Sequence, residues 1–594
     1  MTSAAGRGQR PIRVGNCSGF YGDRASAMAE MARAGGIDVL TGDYLAEVTM
    51  LILGKARAKD STKGYAATFL QHLDAALDHL VANGIKLVVN AGGLNPAGLA
   101  AATRESIARH GYDLRVSHID GDDVFGRLDA LQQAGHSMPH LTSREPLSSW
   151  PHQPLTANAY LGGFGIARAL ATGADIVITG RVADASPIVG AAAWWWSWTP
   201  EDYNALAGAL AAGHVIECGP QATGGNFSGF RTVADLVQPG FPIAEIAADG
   251  SSVITKNPGT GGAVTRDTVT AQLLYEIGEP AYLNSDVITH LDTAELADLG
   301  DDRVEIRGVR GSAPPATTKV AITGVGGWEN SMLLALTGTD LDAKAALVEQ
   351  SVHRYIDAVD GVDAVAIDRI GQAQHDPDSQ NAGTQLLRIA VQGTKEAAGR
   401  AFSSRMVELA LSSYPGLYSL GPPQPGSAFG VYWPALLDQA LLEHTVHHHD
   451  GTREVIALGA TVRESTPPAV TQTAQTTWSD ELVVVSLGEI VHARSGDKGG
   501  DANLGVWARD REAWDWLKST LTIDELRHLL PETRALPISR YELPNLGAVN
   551  FLIQGLLGTG ATSSLRLDAQ AKALGEWLRS RSIKIPKSLV AGGN

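Results

Sequence analysis

Several residues whose side chains or backbone amides can act as acids, bases or hydrogen-bonding groups follow short apolar runs in the first part of this sequence. They are Asn16, Cys17, Ser18, Asp43, Asn90, Gly92, Gly93, Arg181 and Asp184. Carboxylates can transfer protons, arginine offers a rigid donor fork for carboxylates or phosphates, and backbone amides near glycine can hold a developing oxyanion. These residue types together indicate a binding or catalytic site for a polar ligand.

The apolar runs that precede these residues lack alternation, and helical patterns separate them. The runs cover residues 12–15, 39–41, 87–89, 114–119 and 176–179, and the helices are predicted at 25–34, 47–58, 66–82, 96–109, 124–134 and 163–171. This pattern is typical of a parallel sheet covered on both faces, in which ligands bind at the carboxyl ends of the strands. We therefore expect Asn16, Asp43, Asn90 and Arg181 to converge around one hollow.

Composition excludes several other classes of protein. The 594 residues are 44% apolar and 19% charged, as in ordinary globular proteins. A net charge of −17 disfavours nucleic acid or an anionic membrane as a general partner. Two cysteines fit a reducing compartment, and the polar start of the chain lacks the apolar region of a signal peptide. We expect a cytoplasmic protein.

The pattern changes along the chain and predicts an α/β protein in three parts. Residues 10–315 are predicted to form a large N-terminal domain with a mostly parallel sheet flanked by helices, and residues 316–463 a middle α+β region. A linker rich in Thr, Gln and Pro is predicted at 464–479. Residues 480–594 have the size and element order of a small C-terminal ferredoxin-like α+β domain.

Acidic residues follow a further predicted strand at Asp120, Asp122 and Asp123. Such a group can hold a hard metal ion or supply an acid–base pair, and Asp122 or Asp123 can equally cap the helix predicted to begin near Val124. The two interpretations are compatible.

Two neighbouring motifs leave alternatives open. Asp184 can orient Arg181 or act as a base, or the two can form a structural salt bridge. Cys17 can act as a nucleophile only if a nearby base makes it a thiolate, and otherwise it is a small buried residue.

A glycine-rich segment, residues 257–262, precedes a predicted helix near Arg266. Free backbone amides at a helix N-terminus, with charge from Lys256 and Arg266, can form an anion site that includes Gly261. The segment matches neither a P-loop nor a dinucleotide fingerprint. We interpret another glycine pair, Gly162 and Gly163, as a place of close helix packing.

The C-terminal part contains a polar segment, residues 492–503, that is predicted to join two strands. It is either a solvated turn or a functional loop that reaches a neighbouring cleft through Arg494, Asp497, Lys498, Asp501 and Asn503. The three histidines at 447–449 are expected to be surface residues without a metal. The tryptophans between 194 and 198 are expected to serve packing or a subunit interface.

A family resemblance adds to these observations. It is carried by segments 14–24, 40–47, 87–95, 157–186, 217–230 and 256–268, which include the Gly180-Arg181-Val182-Ala183-Asp184 motif. Together they resemble the acyclic terpene utilisation (AtuA-like) family, and residues 488–505 resemble the ferredoxin-like domain that ends longer members. The resemblance implies a role in the breakdown of citronellol- and geraniol-type terpenes through CoA thioesters, alongside acyl-CoA carboxylases and hydratases.

The resemblance implies a branched or unsaturated acyl-CoA, or the related acid, as the substrate, and we expect hydration or another lyase reaction. The expected roles are proton transfer by Asp43, Asp120 and Asp184; oxygen binding by Arg181 and the amides of Gly92 and Gly93; CoA phosphate binding by Lys256, Gly261 and Arg266; and substrate orientation by Asn16 and Asn90. No metal and no cofactor other than substrate CoA is expected, and the protein is expected to be a homo-oligomer. Thioester hydrolysis through Cys17 or Ser18 is an alternative, as is a non-catalytic scaffold or regulatory partner for an acyl-CoA carboxylase.

Overall fold

The computed structural model describes residues 6–462 and 480–591, so the predicted linker at 464–479 lies outside the described residues. The strands up to residue 315 are β1 Ile12–Asn16, β2 Val39–Gly42, β3 Lys86–Val89, β4 Val116–Asp120, β5 Pro154–Ala159, β6 Ile176–Thr179, β7 Pro242–Ile246, β8 Ser252–Lys256, β9 Ala281–Leu283, β10 Ile288–His290, β11 Glu295–Gly300, β12 Arg303–Arg307 and β13 Arg310–Ser312. The helices of the same region are α1 Ala27–Ala34, α2 Glu47–Lys59, α3 Thr68–Asn83, α4 Pro96–Arg109, α5 Leu128–Gln133, α6 Phe164–Ala171, α7 Ser186–Trp196, α8 Tyr203–Ile216 and α9 Arg266–Leu273.

The remaining elements complete the described chain. The strands are β14 Thr317–Thr337, β15 Val362–Ile370, β16 Thr384–Gly393, β17 Tyr418–Ser419, β18 Ser427–Asp438, β19 Thr445–His447, β20 Arg453–Val455, β21 Leu482–Ser486, β22 Val491–Lys498, β23 Asp501–Ala508, β24 Ile538–Leu543, β25 Ala548–Ile553 and β26 Ser582–Pro586. The helices are α10 Leu341–Ala358, α11 Phe402–Ser412, α12 Arg511–Thr520, α13 Ile523–Leu529, α14 Leu574–Ser580 and α15 Lys587–Ala591, and a π-helical turn, Ala397–Ala401, leads into α11.

The largest sheet of the described residues has eleven strands in the order β11-β12-β8-β7-β1-β2-β3-β6-β4-β19-β20. The five adjacent strands β1-β2-β3-β6-β4 pair in parallel. The strands on both sides pair antiparallel, beginning with β7 next to β1 and β19 next to β4. Short connections, such as residues 247–251 between β7 and β8, keep the next strands antiparallel as well. The mostly parallel sheet expected from the sequence is therefore a mixed sheet with a parallel centre.

Helices cover both faces of the parallel strands, as the uninterrupted apolar runs predict. One face packs against α1, α3 and α4 through buried residues that include Phe69 and Leu73. The other face packs against α6, α7 and α8, where Trp194 and Trp195 are buried and contribute to packing within the chain. Helix α8 is almost entirely buried because it also contacts the small sheet β13-β10-β9. In the described parts of the chain, every helix is too short or too polar to cross a bilayer.

The second sheet has the order β15-β16-β14-β17, and β14 also pairs with β18 and β5. Strand β14 is 21 residues long. Strand β5, from the N-terminal part of the chain, pairs with residues 320–324 of β14 and so joins this sheet to the parallel strands.

The C-terminal part forms a small ferredoxin-like domain with a four-stranded antiparallel sheet, β22-β23-β25-β24. The segment 492–503 is not a loop between strands, because its two halves are β22 and β23 themselves. Only Gly499 and Gly500 form the turn, and Gly499 has a positive φ of 65° that suits a tight hairpin.

Close packing of α6 against α7 depends on Gly163. A Cβ at this position would lie 2.7 Å from Gly190 N and 2.8 Å from Ser186 O, which are fixed backbone atoms. We predict that Gly163→Ala destabilises the fold by about 1–3 kcal/mol, because the helices must separate. Gly126→Ala is the control, since nothing lies within 4 Å of that position. Equal denaturation midpoints for the two variants would contradict the steric explanation.

Candidate functional site

The carboxyl ends of β2 and β3 are joined by the side chain of Asn90. Its Nδ2 donates to Asp43 Oδ1 at 2.6 Å, and its Oδ1 accepts from the Tyr44 amide at 2.7 Å. The Leu45 amide donates to the same Asp43 oxygen at 2.9 Å. Asn90 is fully buried and its amide group is occupied by the protein. It therefore positions Asp43 rather than a substrate.

Asn16, at the end of β1, has a similar positioning role. Its Oδ1 accepts from the Ser18 amide at 3.0 Å, and its Nδ2 donates to the Glu217 carbonyl at 3.1 Å. The residue connects the end of β1 to the residue that follows α8. This contact brings Glu217, which the sequence analysis did not select, to the edge of the parallel sheet.

Three acidic side chains meet at this edge, and we call them the carboxylate cluster: Asp43, Asp184 and Glu217. One carboxylate oxygen from each lies within 4.8 Å of the other two. Asp43 and Glu217 are buried, whereas the side chain of Asp184 is 32% exposed. A ligand from solvent therefore reaches the cluster from the side of Asp184.

Arg181 is the cation in contact with the cluster. Its guanidinium is buried, pairs with Asp184 at 2.8 Å, donates to the Leu45 carbonyl at 3.1 Å, and lies 4.1 Å from the centre of the Tyr160 ring. Its backbone amide donates to Asp122 at 2.9 Å. Arg181 and Asp184 thus form the ion pair that one sequence interpretation expects, and the placement of Asp184 in the cluster leaves its role as a base a prediction.

Burial and mutual repulsion disfavour full ionisation of the cluster. Loss of hydration, followed by the charge of Asp184, raises the pKa of Asp43 to about 7. The same two effects, with the charge of Asp43, raise the pKa of Glu217 well above its usual value. Without a ligand, the cluster therefore holds at least part of its charge as bound protons.

Lys319 on β14 and Tyr432 on β18, with Tyr160 directly after β5, form a second wall, and we call the region between this wall and the carboxylate cluster the cleft. The ammonium group of Lys319 lies 4.7 Å from the ring centre of Tyr160 and 5.5 Å from that of Tyr432, and 3.4 Å from Glu47. Burial opposes the ionisation of Glu47, but Lys319 and Arg181 lower its pKa to about 2. Lys319 and Glu47 are therefore a charged pair within the cleft.

The C-terminal domain forms a third wall. Lys498 Nζ donates to the Glu276 carbonyl at 3.0 Å, and Lys572 Nζ lies 3.3 Å from Asp497 and 3.8 Å from the Glu276 carboxylate. Burial, followed by the charge of Lys319, lowers the pKa of Lys498 to about 8. Burial also raises the pKa of Glu276 to about 7. Ionisable groups thus line the cleft on the side facing the cluster.

Three other polar residues predicted from the C-terminal domain attach it to the rest of the chain. Arg494 donates to Gln221 and stacks on Tyr275, Asp501 accepts from Thr142 Oγ1 at 3.2 Å, and Asn503 Oδ1 accepts from the Glu276 amide at 2.9 Å. These contacts fix the position of the third wall.

Some predicted residues lie apart from the cluster or are already occupied. Asp120 contacts His447 at 2.8 Å, and no hydrogen bond or ion pair among the described residues links it to the cluster. Lys256 is paired with Asp302 at 2.9 Å and donates to the Thr260 carbonyl. The amide of Thr268 at the start of α9 is capped by Thr265, and Gly261 packs against the Asp235 carbonyl. The expected phosphate site is thus filled by the protein's own groups.

The loop after β1 does not present a nucleophile. Cys17 is 2% exposed, and burial raises the pKa of its thiol. Ser18 is fully buried, and its hydroxyl donates to backbone carbonyls. Gly92 packs against the Thr179 carbonyl and Pro96, and the amide of Gly93 donates to the Asn90 carbonyl. The loop after β1 and the Gly92–Gly93 turn are therefore engaged with the protein's own backbone, and they contribute to the packing around the cluster.

Two groups of described residues have spacing that suits a metal. One is the carboxylate cluster, and the other is His118, Asp120 and His447 at the edge of the sheet. In the second group the two imidazole rings are stacked at 4.4 Å with planes 5° apart. The nitrogen lone pairs of the two rings therefore lie in nearly parallel, separate planes and do not meet at one point, which disfavours joint ligation.

The chain matches two family models. The model described as "Acyclic terpene utilisation family protein AtuA" matches residues 12–448, and the "AtuA ferredoxin-like domain" matches residues 485–584. No curated protein matches the chain.

Removal of the Asn90 side chain tests whether it positions the cluster. We predict that Asn90→Ala destabilises the protein by about 1–3 kcal/mol, because the buried Tyr44 amide loses its partner and Asp43 keeps only the Leu45 amide. Asn83→Ala is the control, because Asn83 makes one hydrogen bond, to the Ala32 carbonyl, from an exposed position. Thermal denaturation compares the two. An Asn90→Ala variant as stable as the control would show that the network is unimportant.

Proposed function

We propose, on the premise that the chain belongs to the acyclic terpene utilisation family, that it is a lyase or hydratase acting on an acyl-CoA thioester or a related organic acid. The observation that carries the proposal is that Lys319 shares the Tyr160 ring with Arg181, the cation of the carboxylate cluster, while Lys498 contacts Glu276, whose charge acts on Glu217. Addition or elimination of water next to a carbonyl needs a proton-transfer group, a donor for the enolate oxygen and a place for the hydroxyl.

Lys319 is the proposed donor for the carbonyl or enolate oxygen. The rings of Tyr160 and Tyr432 lie beside its ammonium group and limit its contact with water. The side chain of Lys319 is nevertheless 32% exposed, and its ammonium nitrogen lies 3.4 Å from a carboxylate oxygen of Glu47. An ammonium group has three donors, so a substrate oxygen can bind without displacing Glu47.

Lys498 is the proposed proton-transfer group at the carbon next to the carbonyl. Its pKa of about 8 means that both the neutral amine and the ammonium form are populated near neutral pH. Its contact with the Glu276 carbonyl holds it in place, and the charge of Lys319 favours its neutral form.

Asp184 is the proposed point at which the water or hydroxyl group meets the cluster. It is the accessible member, while Asp43 and Glu217 lie behind it. Asp43 and Asp184 thus keep the catalytic role expected from the sequence, but as parts of one cluster with Arg181. Hydrolysis through Cys17 or Ser18 is less compatible with this geometry, since both side chains are buried and Cys17 is held as a thiol.

A panel of acyl-CoA thioesters tests the proposal, with mass spectrometry to detect gain or loss of one water. We predict turnover of branched or unsaturated members and a loss of about 10²–10⁴-fold in kcat for Asp184→Asn. Asp120→Asn, which lies apart from the cluster, and Cys17→Ala are expected to retain activity. Cleavage to free CoA that disappears in Cys17→Ala would instead identify a hydrolase. Binding without any conversion would favour the scaffold alternative.

The pH dependence of the elimination direction tests Lys498 separately. A base must be neutral to accept a proton, so kcat is expected to rise as pH passes through about 8 and then to level off. Lys498→Arg, which stays protonated, should lack this rise and have much lower activity. Lys395→Met changes a lysine that stacks on Trp328, and the rise should persist in this control. A rise that persists in Lys498→Arg would rule out Lys498 as the base.

A further inference from the structure

Glu217 is a buried acidic side chain with almost no partner. It is 6% exposed, and its carboxylate makes one hydrogen bond among the described residues, from the weak donor Cys218 thiol at 3.9 Å. The His214 ring nitrogen is 3.8 Å away, too far for a hydrogen bond. Buried carboxylates are normally paired, hydrogen-bonded or bound to a metal. Glu217 therefore lacks the compensation that its burial requires.

The carboxylate of Glu217 is directed at two others that also keep unused oxygens. The hydrogen bonds of Asp43 from Asn90 and Leu45 both go to Oδ1, and the ion pair of Asp184 with Arg181 uses its Oδ1. Among the described residues, the second oxygen of each makes no hydrogen bond or ion pair. Arg181 offsets one of the three negative charges, so the cluster in its ionised form lacks two positive charges.

We infer that Asp43, Asp184 and Glu217 bind one divalent cation of the hard, oxygen-preferring class, such as Mg²⁺ or Mn²⁺. Metal–oxygen distances of about 2.0–2.4 Å place ligand oxygens up to roughly 4–5 Å apart around one ion. One oxygen from each of the three carboxylates lies within 4.8 Å of the other two, which is close enough for the three to reach one ion. Asp184 leaves the side facing the cleft open for water or substrate. The inference rests on the proposed function in one respect, since the ion would hold the hydroxyl group that we place at Asp184.

Direct metal binding tests the inference without any substrate. The full-length protein is dialysed against a chelator and titrated with Mn²⁺, with free Mn²⁺ followed by electron paramagnetic resonance. We expect one tight site from which Mg²⁺ displaces Mn²⁺. Glu217→Gln should weaken binding at least tenfold, and Asp184→Asn, at a partly exposed position, is the second variant. Asp120→Asn is the control, because Asp120 belongs to the other group with metal-like spacing.

Thermal stability provides a second readout that separates a lost ligand from a damaged fold. Mn²⁺ should raise the melting temperature of the wild-type protein and leave that of Glu217→Gln unchanged. In chelator, Glu217→Gln should melt at or above the wild-type temperature, because the neutral amide avoids the repulsion that an ionised Glu217 meets from Asp43 and Asp184.

The possible outcomes decide between a cation and bound protons. Absence of a tight Mn²⁺ site overturns the inference, and so does binding that is lost in Asp120→Asn but kept in Glu217→Gln. Turnover of an acyl thioester that is unaffected by the chelator also overturns it, while leaving the proposed function in place. Tight Mn²⁺ binding that depends on Glu217, without turnover of any acyl thioester, supports the inference and removes the proposed function.

Discussion

The buried guanidinium of Arg181 is the interaction on which the arrangement of the site depends. A charge removed from water is stable only if it is paired and hydrogen-bonded, and Arg181 obtains these partners from Asp184, the Leu45 carbonyl and the Tyr160 ring. Its backbone amide adds Asp122, which also accepts from Asn158 at 2.7 Å. The loops after β2, β4 and β6 and the strand β5 are thereby held in one arrangement by a single residue.

The C-terminal domain belongs to the site because polar contacts fix where it sits. Asn550 Nδ2 donates to the Gly278 carbonyl at 2.6 Å, Trp507 Nε1 to Asp267 at 3.0 Å, and Asn545 to the carbonyls of Leu291 and Ala294. Contacts of this kind specify one orientation, because a shifted domain would leave buried groups without partners. Lys498 thus faces the cleft although more than two hundred residues separate it from Glu276.

The sequence predicts the part of the site that follows from strand geometry. Asn16, Asp43, Asn90 and Arg181 converge because parallel strands end at the same edge of a sheet. Asp120 also ends such a strand, but its side chain meets His447 on the antiparallel neighbour β19, which no local pattern indicates.

The second sheet and the residues it contributes were harder to predict from the sequence. Strand β14 contains Gly324, Gly326 and Gly327, which interrupt the apolar pattern, and its length is supported by different partners along its course. Lys319 therefore gives no local signal of a site. Glu217 gives none either, because its significance comes from contacts with residues that are distant in sequence.

The two ends of the same parallel strands differ in how acidic groups are compensated. At the amino end, Asp175 is paired with both Lys86 and Arg115, and although burial opposes its ionisation, these partners lower its pKa. At the carboxyl end, three carboxylates share the single cation Arg181, and two of them have raised pKa values. Stability alone would favour the first arrangement at both ends, because uncompensated buried charge weakens a fold. Proteins tolerate such a local conflict where a ligand resolves it, so the contrast favours the carboxyl end of the strands, with the carboxylate cluster, as the place where a ligand binds.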